Sequence, residues 1–315
     1  MAWEADFCGL DRDRGQAIGP VVLDALERRF WLDLWRAPVL DAVEEQRIET
    51  RWYGPMQATV VAGLPHEPLL NVVLGAAEPG AAEEGHLEEA LDWAESLGLG
   101  FRVPITLGRS ESAAAEDLLN QRGYIRAAGL LRFARSASAA GPAAQPEIEV
   151  IEVEEFTEGF SDYPGEGFGL DLTAWSFFDC LPGRDYWRCY VALDREGYPS
   201  ASASTTLRFG VAQLAFAATR ERARGQGCHL ALLHRRIRDA VDAGCHTIFA
   251  EVEEPLDRLD RPSAAVRNLL RAGFERIEVR PVWRPPPPPE SEQDWEDDEG
   301  WDESDDEDHD FDFED

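Results

Sequence analysis

The residues of this chain best suited to chemistry lie in one stretch, TRERARGQGCHLALLHRR, at positions 219–236. Arginines at 220, 222, 224, 235 and 236 surround two glycines, Gly225 and Gly227. The apolar residues Leu230, Leu233, Ile237 and Val241 then recur at helical spacing, and the run VAQLAFAAT before the cluster reads as a strand. The cluster therefore falls between a strand and the first turn of a helix. Unpaired N–H groups and the positive end of the helix dipole meet there and form an anion site. Glycine lets the backbone come close to a ligand and adopts positive φ without strain. The chemistry suggested is recognition of an anion. The spacing Arg222-x-x-Gly225-x-Gly227 matches neither G-x-x-x-x-G-K-[ST] nor G-x-G-x-x-G, which argues against a nucleoside triphosphate loop and against a Rossmann fold.

Such a basic cluster stands out in an acidic chain. The 315 residues include 62 Asp and Glu against 30 basic residues, all of them Arg, for a net charge of −32. The segment Glu290–Asp315 holds 17 acidic residues and no basic one, so the body carries only about −15. A run this acidic repels itself and buries too little apolar surface to fold, and Pro285–Pro289 set it apart, so a disordered tail is expected. Trp295, Trp301, Phe311 and Phe313 within it read either as a docking motif for a basic protein partner or as incidental aromatics on a solubilising tail. The acidic body argues against nucleic-acid binding, which demands a basic surface. No apolar run reaches the ~18–20 residues needed to span a bilayer. The start, MAWEADFCGLDRDR, lacks the basic and apolar segments of a secretion signal, so no membrane partner and a cytoplasmic location are expected. Cys8, Cys180, Cys189, Cys228 and Cys245 are scattered and never spaced C-x-x-C, so they read as small buried hydrophobes and no metal is expected. His229, His234 and His246 have no zinc-like spacing and read as structural.

The stretch ARSASAAGPAAQPE, 134–147, has the composition of a linker and divides the body into two halves. After it, EIEVIEV, YWRCYVALD, PSASASTTLRFG, VAQLAFAAT, HTIFAEVEE and FERIEVRPVW read as strands, with helices over the segment after Gly227 and over RPSAAVRNLLRAG. The fold class expected is α/β (α+β), a mixed and mostly antiparallel sheet flanked by helices.

RARGQG after a strand, then an amphipathic helix, a strand and AAVRNLLRAGF, resembles the acyl-CoA-binding core of the GNAT acetyltransferase superfamily, whose signature is [Q/R]-x-x-G-x-[G/A]. The resemblance covers Glu147–Trp283. It implies acetyl-CoA as co-substrate and a small-molecule or peptide amine as acceptor. It also implies that amides from Ala223 to Cys228, through Arg224, Gly225, Gln226 and Gly227, cradle the CoA pyrophosphate, with charge from Arg222 and Arg224. The pantetheine arm would pair with the backbone of Phe216 and Ala217, and Asn268 either bonds that arm or is an ordinary polar residue on an exposed helix face. The family's usual tyrosine acid falls on Leu269, which donates no proton, and the Asn that often precedes the last helix is replaced by Pro262. Glu251, near the end of its strand, is the candidate base, with a solvated acid beside Glu253 and Glu254 as the alternative. Tyr163 and Tyr190 are candidate donors by residue type.

In the N-terminal half, AAAEDLLNQRGYIRAAGLLRFAR echoes SAAVRNLLRAGFERIEVRPVW, with Gly123-Tyr124 standing where Gly273-Phe274 do. This resembles a tandem GNAT arrangement. The loop before the first helix of this half, GAAEPGAAEEGH, has three glutamates, no arginine and no G-x-G, so the copy reads as degenerate, without CoA, and as shaping the acceptor site. Its opening residues, with ERRFWLDLWRAP, read as helical scaffold. The organisation expected is 1–135 degenerate GNAT-like, 136–146 linker, 147–284 acetyltransferase and 285–315 tail. An acyl-CoA-dependent N-acyltransferase and a non-catalytic acyl-CoA-binding or interaction protein are the two functions this organisation allows.

Overall fold

In a computed structural model, the described residues are 20–38, 45–139, 148–157, 159–255 and 261–286. The acidic tail and most of the linker expected above lie outside them. The N-terminal half runs α1 (Pro20–Trp35), β1 (Ile48–Tyr53), β2 (Met56–Val61), β3 (Val72–Leu74), α2 (His86–Ser96), β4 (Val103–Pro104), α3 (Ser112–Gln121) and β5 (Ile125–Ser136). The C-terminal half runs β6 (Val150–Val153), α4 (Asp162–Phe168), α5 (Ser176–Asp179), β7 (Trp187–Leu193), β8 (Pro199–Arg208), β9 (Val211–Thr219), α6 (Cys228–Asp242), β10 (Thr247–Glu254), α7 (Ala264–Arg271) and β11 (Glu275–Arg284). The β-rich runs and the two helices after Gly227 and Pro262 fall where their periodicity puts them. Within α6 the inner face is Leu232, Leu233, Ile237 and Ala240, whereas Val241 is exposed. The start of α7 is fixed by Ser263, whose Oγ accepts from the Val266 amide at 3.3 Å.

The sequence echo between the halves extends over whole elements. Each half has three consecutive antiparallel strands, β1-β2-β3 and β7-β8-β9. In each, a helix follows, then a strand parallel to the third: β10 pairs with β9 over 247–250 and 211–214, and the Val72–Arg102 bridge runs parallel beside β4. A short helix and a long final strand complete each copy. The final strands are exchanged. The large sheet has the order β4-β11-β5-β10-β9-β8-β7-β6, so β5 of the first half pairs with β10 of the second, and β11 of the second pairs with β4 of the first. The two exchanged strands pair with each other at the centre, antiparallel from Glu275–Arg284 to Ile125–Ala134. Each half is a mixed sheet flanked by helices, and the two share a continuous seam.

Register at that seam decides which side chains meet. Arg132 on β5 stands opposite Glu251 on β10 and Glu278 on β11. Opposed residues project to the same face, and there α1 supplies Asp24 and Glu27. Arg132 is fully buried, with carboxylates of Asp24 at 2.7 Å, Glu27 at 3.1 Å, Glu251 at 3.0 Å and Glu278 at 2.7 Å. Arg280 pairs with Glu27 at 2.9 Å and Glu251 at 2.5 Å and donates to Thr106 Oγ1. Arg109 closes the network onto Asp24 and Glu278. Four acids thus share three guanidinium groups. The other face of α1, with Phe30, Trp31, Leu34 and Trp35, packs into a core shared with Phe177, Phe178 and Trp187 of the second half.

Removing one member of a buried ion cluster leaves its partners charged and unpaired, which costs about 3–5 kcal/mol. Arg132→Met is therefore expected to lower unfolding free energy by that amount in urea denaturation, and Arg132→Lys by less. A loss under about 1 kcal/mol for Arg132→Met, the size of a surface pair, would show that the seam does not depend on this residue.

Candidate functional site

The site begins as a defect in β9. Ser202 pairs with Ala218 and Ser204 with Ala215, so Phe216 and Ala217 together oppose Ala203. This is a β-bulge, one extra residue on one strand, and Phe216 takes φ +48 to make it. The Phe216 ring is seated among aromatics, 4.9 Å from Phe178 and 5.4 Å from Phe30 between centroids, which holds an unfavourable backbone in place. Pairing of β9 with β10 ends at Leu214 and Ala250. Beyond that point the two strands part.

The arginine- and glycine-rich loop follows at once. Glu221–Ala223 form a short turn, Gly225 has φ +80, and Gly227 at φ +102 caps α6. A Cβ on Gly225 would meet nothing within 4 Å, so its surface is open. Ala231 is the first residue of α6 to donate back into the helix, to Gly227 O at 2.9 Å. The amides of Cys228, His229 and Leu230 precede that bond and have no carbonyl of the helix to meet. Not every amide of the loop is free. Those of Ala223, Arg224 and Gln226 donate to the carbonyls of Arg220, Glu221 and Ala223, which narrows the expected Ala223–Cys228 cradle to Gly225, Gly227 and the helix start. Arg222 and Arg224 are exposed, Arg222 with Nη2 3.5 Å from Ser200 Oγ. The Gln226 side chain donates to Arg222 O and accepts from the Arg195 amide, tying the loop to the β7–β8 turn. Ala223 and Cys228 turn their side chains into the core.

A cavity of about 800 Å³ opens where the strands part. One wall is Ala215–Ala217 of β9, Glu251–Glu253 of β10, His229, Leu233 and Arg236 of α6, and Leu269 of α7. The lining also includes His66–Leu69, Arg102 and Ala127–Ala128 from the N-terminal half. The loop carrying His66 and Glu67 is held by buried Asn71, whose Nδ2 donates to Leu64 O at 2.9 Å and whose Oδ1 accepts from the Val61 amide at 2.6 Å.

No family model matches the sequence, and no curated protein matches it either. Among solved structures it is similar to a GCN5-related N-acetyltransferase from Sphaerobacter thermophilus, with 18% identity, TM-score 0.53, and 73% of this chain and 80% of that one covered. It is also similar to a GCN5-related N-acetyltransferase from Kribbella flavida, with 14% identity, TM-score 0.54, and 82% and 95% covered. A tandem GNAT protein from the clavulanic acid biosynthesis pathway aligns at 15% identity, TM-score 0.49, over 73% and 77%. The chain has the GNAT fold. Coverage of 73% or more by the first two exceeds what either half could supply, so both repeats take part.

The two GNAT-like repeats differ at the loop that leads into their first helix. In the N-terminal repeat, Gly85 at φ +83 caps α2 as Gly227 caps α6. There the loop amides of Gly80, Ala82 and Glu83 all donate to the buried carboxylate of Glu111, at 2.6 Å from Ala82 and 3.2 Å from Glu83. The loop of the N-terminal repeat carries its own anion.

The candidate catalytic groups rearrange. Glu251 lines the cavity, but its carboxylate is spent on Arg132 and Arg280. Burial opposes its charge, yet the two arginines outweigh burial and hold its pKa at about 2. A carboxylate that releases its proton so readily accepts one poorly near neutral pH, which argues against the expected role of Glu251 as base. Tyr190 is fully buried and donates to Asp239 at 2.9 Å, Tyr163 sits under the Arg220 guanidinium, and neither lines the cavity. Leu269 does line it. Asn268 bonds His229 Nδ1 at 3.1 Å. His229, which residue spacing had left as structural, lines the cavity one turn from Leu233 and two from Arg236. Arg236 and Glu67 also escaped sequence reading: the helical repeat 229-233-236 is a signal for the first, and nothing local marks the second.

Burial, then the charge of Arg236, lower the His229 pKa to about 4. The ring is expected to be neutral from pH 5.5 to 8, its Nδ1 accepting from Asn268. An NMR titration should show its C2 proton flat across that range, while a midpoint near 6.5 would place the ring in water.

Proposed function

We propose that the protein is an acyl-CoA-dependent N-acyltransferase that moves an acetyl group from acetyl-CoA to a primary amine by direct attack. The observation that carries this reading is the parting of β9 and β10 immediately beside the glycine-capped start of α6. Such a slot offers strand backbone to a pantetheine arm at Phe216 and Ala217 and free amides to a diphosphate at Gly225, Gly227 and Cys228. Arg222 and Arg224 are exposed on that loop and add charge. The apolar lining by Leu214, Leu233 and Leu269 suits the arm, and the loop that carries the amide donors follows β9 directly and leads into α6.

The amine would enter against the wall supplied by the N-terminal repeat. It must arrive at the thioester carbonyl uncharged, so a proton has to leave it. Among the charged residues lining the cavity, Glu251 is spent on arginines and Glu253 pairs with Arg102 at 3.7 Å. Glu67 forms no ion pair among the described residues and accepts from the Asp171 amide at 2.7 Å. We assign it to drawing in the ammonium and to receiving its proton, directly or through water. An acidic body favours a cationic acceptor in the same sense. Amine nitrogen then attacks, the C–N bond forms, the C–S bond breaks and its electron pair leaves on sulfur.

Leu269 and the clamped Glu251 favour a second reading, a non-catalytic acyl-CoA-binding protein. Calorimetry with acetyl-CoA tests the premise both share. Gly225→Trp puts a bulky side chain at a positive φ and is expected to weaken binding at least tenfold, about 1.4 kcal/mol. Equal affinity in wild type and variant would remove the loop assignment. Thiol release with a panel of amines then separates the readings: turnover lowered about 10²-fold or more in Glu67→Gln supports the enzyme, and binding without turnover of any amine leaves the second reading.

A further inference from the structure

Arg236 is a buried cation without a counter-ion. It is 3% exposed, and its partners are three carbonyls, Leu232 O and Ser204 O at 3.3 Å and Ala215 O at 3.4 Å. No salt bridge reaches it among the described residues, and its Nη2 has no hydrogen-bond partner there. The acid on the next turn of α6, Asp239, is held by Arg235 Nε at 2.8 Å and by the Tyr190 hydroxyl. Tyr190 itself is neutral, burial having pushed its pKa upward. His229, facing the same cavity, is bonded to Asn268. A buried charge normally has a partner, because desolvation costs several kcal/mol otherwise. Arg236 is lowered to about 10 by burial alone and so remains charged at neutral pH.

Its position says which anion is missing. Arg236 lines the cavity, holds the Ala215 carbonyl beside the bulge, and shares the cavity with Leu269, where the resemblance puts a tyrosine acid. On the reading that this slot takes an acyl-CoA, we infer that Arg236 is the counter-ion of the thiolate that leaves when the thioester is cleaved. The reaction then needs no proton donor at position 269. The amine forms the C–N bond, the C–S electron pair becomes the thiolate lone pair, and the amine's surplus proton goes to Glu67 or water. CoA leaves as an anion paired with Arg236, and protonation of sulfur follows in solvent.

The measurement is the thiol pKa of CoA bound to the whole protein, followed by the ultraviolet absorbance of the thiolate against protein alone. Cys189 and Cys245 are pushed by burial to about 12 and about 11, and Cys228 also upward, so they stay silent in the neutral range. A free thiol titrates near 8.5, and a bound one is expected to fall by about one unit, giving about tenfold more thiolate at pH 7 than free CoA. Arg236→Gln should abolish the gain and Arg236→Lys keep part of it. Wild-type protein that binds CoA but leaves its thiol at the free value overturns the inference without any variant, and leaves the proposed function standing. Failure to bind CoA at all removes the function first. Succinyl-CoA used about tenfold better than acetyl-CoA, with the preference lost in Arg236→Gln, would make the missing anion an acyl carboxylate and overturn the thiolate assignment.

Discussion

The structure turns on a guanidinium set between two carboxylates from neighbouring strands. Arg132 opposes Glu251 on one side and Glu278 on the other, and this triplet exists only because β5 lies between β10 and β11. A slip of one residue would turn Arg132 to the opposite face and leave Asp24 and Glu27 of α1 buried without it. Register, helix placement and strand exchange are thus one decision. The network also dictates what Glu251 can do. Its place beside the cavity invites a catalytic role, but Arg132 and Arg280 hold its carboxylate below the usual range, where it accepts a proton poorly at neutral pH.

The pairing of two similar repeats explains a division of labour. Both copies lead into their first helix through a positive-φ glycine, Gly85 or Gly227, so both backbones present amides suited to an anion. In one copy the anion is built in, the Glu111 carboxylate, and in the other the helix start is open and flanked by arginine. The N-terminal repeat also contributes His66–Leu69 and Arg102 to the lining of the cavity beside β9 and α6 of the other copy.

Local features were legible in the sequence. The strand at 211–219 and the helix after Gly227 follow from periodicity and glycine placement, and the Gly123-Tyr124 echo of Gly273-Phe274 marks two strands that prove to be partners. The echo understated the repeat, because β1–β3 and α2 keep the architecture of β7–β9 and α6 with different side chains. Long-range features were not legible. Nothing in LLRFAR says that its arginine will meet four acids, since that depends on which sheet β5 joins. Glu251 looked like a base for the same reason: its neighbours in sequence are acids, and its neighbours in space are arginines. His229 and Arg236 share a helix face by spacing, but only the parting of β9 and β10 makes that face a cavity wall.

The absence of lysine from this chain bears on the charge inside the cavity. A buried cation loses proton affinity, and how far it can fall while remaining charged depends on where it starts. Arginine at position 236 starts from 12.5 and reaches about 10, still fully ionised at neutral pH. Lysine starts near 10.4, and the same burial would bring it close to the physiological range, where part of the charge disappears. Arginine also keeps a fixed fork, so Nη1 bonds the strand carbonyls of Ser204 and Ala215 beside the bulge and Nε bonds Leu232 O of α6, while Nη2 is left over. A single residue thereby bonds carbonyls beside the bulge and supplies a positive charge there, and the same cavity is lined by Glu67, which forms no ion pair among the described residues. Under the proposed function, a cavity polarised in this way would take in a cationic amine and release an anionic sulfur.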